Sequence, residues 1–168
     1  MQNFSFSRRK FLGLSTAGTA GILLAPPFSF GQNQQQNKPP ALQPDLVKEF
    51  VIAGHGNLDR VKELLAREPG LLNATWDWGG GDFETALGGA GHMGRKDIAE
   101  YLINQGTRMD IFIATMLGKL DIVKAMLTAY PEIIHSKGPH GLTFLHHAKK
   151  GGEAALPVLQ YLESLGAS

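Results

Sequence analysis

The 168-residue sequence contains no cysteine. That removes disulfide frameworks, thiolate metal sites, cysteine nucleophiles and lipid attachment through cysteine. It has no large charge of either sign: 16 basic and 15 acidic residues give a formal net charge of +1. Phosphate binding wants a clear basic excess, so nucleic acid is not expected as a partner. Long apolar runs are missing too. The stretch from Leu12 to Leu24 spans 13 residues, short of the ~20 that a membrane-spanning helix needs. There is no phosphate loop, no paired metal-ligand helix and no Gly-x-Ser-x-Gly turn, so no catalytic residue, cofactor or metal ligand is assigned from motifs. Length and a 43% hydrophobic content fit one small core.

Acid is absent from residues 1–31, which hold Arg8, Arg9 and Lys10. The remaining residues, 32–168, carry thirteen basic and fifteen acidic side chains, a net −2. The chain therefore reads as two objects. The first orders a basic block, a mildly apolar run from Gly13 to Ala25, Pro26-Pro27 and a small-residue exit at Ser29-Phe30-Gly31. Ser7-Arg8-Arg9-Lys10-Phe11-Leu12 resembles the twin-arginine export signal in all five of its defined positions. The resemblance implies that Arg8 and Arg9 are read by the export machinery and that cleavage falls between Gly31 and Gln32. It also implies a periplasmic mature protein, with no stable membrane insertion once the signal is removed. Residues 32–44 are polar and proline-bearing and are expected to form a disordered linker. Residues 45–168 form the folded domain.

That domain repeats itself. Segments beginning at Gly56, Gly94 and Gly118 align without gaps, each with Asp three residues later and apolar residues at +5, +8 and +9. This spacing predicts a helix with one apolar stripe and an acid in its first turn, where the helix dipole favours negative charge. Pro69-Gly70-Leu71-Leu72-Asn73 and Pro131-Glu132-Ile133-Ile134-His135 follow the first and third of these helices at one offset. Upstream, Thr85-Ala86-Leu87-Gly88 and Thr143-Phe144-Leu145-His146 open shorter helices that close on Gly94 and near Gly152. These runs resemble the ankyrin repeat, and Gly141-x-Thr143-x-Leu145-His146-x-Ala148 is the nearest copy. The resemblance implies an all-α solenoid of about four helix-turn-helix repeats. Against the roughly 33-residue period of that family, glycine spacings of 38, 24 and 34 residues mean that the resemblance implies one enlarged finger loop and one short repeat with no finger.

In such an arrangement the fingers and the residues before each closing glycine line a concave groove. The resemblance places His55, His92, Met93, Met116 and Leu117 in that row, and His140 beside it. The enlarged finger adds Trp76, Asp77, Trp78 and Phe83. Large aromatics dominate interface hot spots, so the expected function is non-catalytic binding of an unidentified protein partner. Two alternatives remain. His135, His140, His146 and His147, with Asp110 or Glu132, could make a metal-handling or hydrolytic site. Trp76-Asp77-Trp78 could stack on a sugar. Gly79-Gly80-Gly81 is expected to let the finger tip turn with positive φ.

Overall fold

The structure is a computed structural model that describes residues 39–167. The export segment, Arg8 and Arg9, and the linker as far as residue 38 lie outside the described residues. The described chain is mostly helical. In order come α1 (Pro44–Gly54), α2 (Leu58–Arg67), β1 (Thr75–Asp77), β2 (Phe83–Thr85), α3 (Ala86–Met93) and α4 (Lys96–Asn104). Then follow α5 (Ile111–Met116), α6 (Leu120–Ala129), α7 (Phe144–Lys150) and α8 (Leu156–Ser164).

Local chemistry explains the helix starts. Thr85 Oγ1 accepts from Gly88 N–H at 3.0 Å, and Asp110 Oδ1 accepts from Ile113 N–H at 2.9 Å. Asn57 Oδ1 does the same for Arg60 N–H at 3.0 Å. Each such cap is worth about 1 kcal/mol. Asp59, Asp97 and Asp121 stand in the first turns of α2, α4 and α6, where the repeat pattern placed them. α3 ends on Gly94 with φ 75°, a left-handed closure that glycine makes without steric cost. The two proline segments, Pro69–Asn73 and Pro131–His135, are both 3-10 helices.

Packing turns these pieces into a row. α1, α3, α5 and α7 each pack on the next, and each also packs on the helix that follows it, α2, α4, α6 or α8. One part of the core joins Phe50, Leu64, Leu71, Ile98 and Leu102, and reaches Ile113 and Met116. The other joins Phe112, Val123, Phe144, Val158 and Leu162. The row is tight where α1 meets α3: Gly54 lies directly against the backbone of Ala86.

Several sequence expectations change. The folded domain begins before residue 45, because Pro44 opens α1 and Leu42 packs on the core. A proline fits there, since the first helical N–H has no partner to lose. The stripe position Met126 is exposed, at 38%. The expectation of positive φ at the glycine tip holds. β1 and β2 pair antiparallel, with Trp76 opposite Glu84, and Gly79, Gly80 and Gly81 all have positive φ. Between α4 and α5 there is no strand. No helix among the described residues is long and apolar enough to cross a membrane.

A Cβ at Gly54 would collide with the Ala86 backbone, which has no free rotor to move aside. Gly54→Ala should therefore cost about 2 kcal/mol and lower Tm by several degrees. An unchanged melting curve would contradict the close α1–α3 approach.

Candidate functional site

The second residue of β2, Glu84, turns its side chain into the protein and is 1% exposed. An ionised carboxylate in that position needs partners, and four separate parts of the chain bring a nitrogen to it. Trp78 Nε1–H donates to Oε2 at 2.8 Å across the finger. From α3, His92 Nε2 lies 2.8 Å from Oε1. His55, at the end of α1, brings its Nε2 to 3.3 Å from Oε2. His140, from the loop before α7, places its Nε2 3.5 Å from the same oxygen. His55 and His92 also approach each other, Nε2 to Nε2, at 3.2 Å.

The far nitrogens of two of these rings are already engaged. His55 Nδ1–H donates to the Val51 carbonyl at 3.0 Å. His140 Nδ1–H donates to Asp82 Oδ2 at 2.8 Å, while Asp82 Oδ1 accepts from the His140 backbone N–H, also at 2.8 Å. His140 is the one non-glycine residue with positive φ among the described residues, at 58°. That conformation costs roughly 1–2 kcal/mol for a residue with a Cβ. The paired bonds from Asp82 hold it there.

The sequence of α3 makes room for this cluster. The His55 ring lies over Gly89, where a Cβ would come within 2.8 Å of Nδ1. Gly88 faces both Glu84 Cγ and Pro139. The shortness of α5 has a parallel effect: it has only six residues, and α3 and α7 touch directly. The loop before α7 thereby reaches the finger before α3. His146 spans the same gap, donating through Nε2 to the His92 carbonyl at 2.9 Å.

Burial would push the Glu84 carboxyl up. The hydrogen bonds of His55, His92 and Trp78 and the charge of His55 outweigh it and bring the pKa from 4.5 to about 2. The bond to Glu84 raises His55 against the opposing effect of burial. The His140 backbone N–H lowers Asp82.

The site differs from both sets named in the sequence. Of the groove row, His55 and His92 join the cluster and Met93 is exposed at 46%. Met116 is fully buried and cannot be a partner contact: every residue of α5 is core, because so short a helix is covered on all sides. Leu117 is half-buried against the same core. Of the finger residues, Phe83 is 60% exposed, but Trp76 packs on the core with Lys48 Nζ over its ring. Asp77 is turned to the finger tip, accepting from the N–H groups of Gly79 and Gly81. Trp76-Asp77-Trp78 therefore forms no shared stacking platform. From the histidine-rich set only His140 is present. His147 is buried, with its pKa lowered by that burial, and donates from Nδ1 to the Thr143 carbonyl. His135 is exposed at the end of its 3-10 helix. Glu84 was not singled out, although an acid between an exposed Phe83 and a helix-capping Thr85 alternates inward on a strand.

Removing the Glu84 carboxylate leaves Trp78 Nε1 and His92 Nε2 without their acceptor. Glu84→Ala should cost about 2–3 kcal/mol at pH 7, measured by denaturant unfolding. Folding lowers this pKa, so the carboxylate's contribution is complete above pH 4.5 and fades as pH falls towards 2. The difference between wild type and variant should narrow over that window. Equal stability at pH 7 would contradict the account. In comparisons with known proteins, no family model and no curated protein sequence matches this chain.

Proposed function

We propose that this chain is an exported ankyrin-type repeat protein that works by binding a partner at its inner-helix face and finger, without catalysing a reaction. The row of four helix pairs, the finger before α3 and the glycine-closed helices support the repeat reading. The Ser7–Leu12 motif supports the export reading.

The observation that carries the binding reading is the contrast between spent and unspent side chains at one place. Glu84 and His92 are buried, yet their chain neighbours Phe83 and Met93 stand exposed at 60% and 46%. Trp78, which completes the rim, is 36% exposed. A rigid polar centre bordered by adaptable apolar groups suits an interface, where a few anchors carry most of the affinity. Phe83 and Met93 replace the Met116–Leu117 pair as expected anchors.

Two experiments bear on this. Partner capture from an envelope fraction, followed by a Kd measurement, should show Phe83→Ala/Met93→Ala weakened about 30-fold with unchanged Tm. Undiminished binding by the variant would remove the face from consideration. For export, Arg8→Lys/Arg9→Lys should leave uncleaved protein in the cytoplasm, whereas wild type yields a mature chain starting at Gln32. Normal processing of the variant would rule out the twin-arginine route.

A further inference from the structure

Four groups that bind metals well point at one another on this face. Ligand atoms of His55, Glu84, His92 and His140 all lie within 4.8 Å of one another. His92 Nε2 lies 2.8 Å from Glu84 Oε1, His55 and His140 Nε2 lie 3.3 and 3.5 Å from Oε2, and His55 Nε2 lies 3.2 Å from His92 Nε2. An ion about 2.1 Å from four tetrahedral ligands would set them about 3.4 Å apart. Three of these four separations fall within about 0.2 Å of that spacing.

Proton placement argues in the same direction. His55 and His140 both give their Nδ1–H away, to a backbone carbonyl and to Asp82. In the neutral rings, Nε2 therefore carries the lone pair that a metal ion would take.

The surroundings match what metal-binding imidazoles require. Such rings usually donate their other N–H to a carboxylate or backbone carbonyl, which fixes the tautomer and aims the ligand. Asp82 and the Val51 carbonyl do this for His140 and His55, and Trp78 Nε1–H orients Glu84. His55 and His140 retain 26% and 34% side-chain exposure, which leaves an entry path. Three imidazole nitrogens and one carboxylate, with no sulfur, suit zinc and similar borderline ions and are a poor set for calcium or magnesium.

We propose that His55, Glu84, His92 and His140 form a site for a divalent transition-metal ion of the zinc class. Bound there, the ion ties the end of α1, the finger, α3 and the loop before α7 to one point. It stiffens the face on which the proposed partner would dock, yet the site itself needs no partner.

The test is chelator-competition titration of the full chain with zinc, beside thermal melts with and without the ion. Wild type should bind one zinc with Kd below about 1 μM, and zinc should raise its Tm by mass action. His140→Ala should weaken binding at least 100-fold, and because His140 sits on an exposed loop, circular dichroism should show the variant folded. Asp82→Asn touches no metal and should still weaken binding 10–100-fold. His135→Ala should change nothing, and neither calcium nor magnesium should shift Tm. Binding weaker than about 10 μM, or equal zinc affinity in wild type and His140→Ala, would overturn the site. Zinc binding that survives in Phe83→Ala/Met93→Ala while partner capture is lost would separate the two proposals. Partner capture that persists in His140→Ala would show that the partner reading does not depend on the ion.

Discussion

Glu84 is a carboxylate with almost no exposed surface, and such a group is tolerable only where donors or a cation surround it. Much of what is unusual in this chain supplies that surround. The finger brings Trp78 back across the hairpin to the carboxylate. The glycines of α3 let the His55 ring and Pro139 come close. The short α5 leaves α3 and α7 in direct contact, and the loop before α7 carries His140 to the hairpin.

The same constraint explains why the strained residue sits where it does. His140 holds a left-handed backbone that glycine would adopt at no steric cost, although Gly141 is its neighbour. Strain of this kind persists only where surrounding bonds over-determine it, and Asp82 supplies two. Replacing His140 by glycine would relieve the backbone and lose the imidazole.

The parts legible in the sequence were those set by local rules. Thr85 and Thr143 marked helix starts because a short hydroxyl side chain can satisfy a free backbone N–H. Asp59, Asp97 and Asp121 marked first turns, and Gly79-Gly80-Gly81 marked the hairpin tip. The site was only half legible. His55 and His92 fell in the groove row, and His140 stood in two candidate lists, but nothing local joins residues 55, 84, 92 and 140. Their meeting depends on how far a shortened repeat lets two loops approach, which is a property of packing. Met116 illustrates the opposite failure. Its place in the repeat predicted a groove residue, yet in a six-residue helix flanked by α3 and α7 the same register is core.

The central claim is that three imidazoles bring Nε2 to Glu84, two of them, His55 and His140, because their outer nitrogens are committed elsewhere. Long-range nitrogen–proton NMR of the histidine rings in their neutral form reads this directly. The account predicts that His55 and His140 occupy the Nδ1–H tautomer, fixed by the Val51 carbonyl and by Asp82. Rapidly averaging tautomers, or rings with Nε2–H predominant as in free histidine, would contradict it.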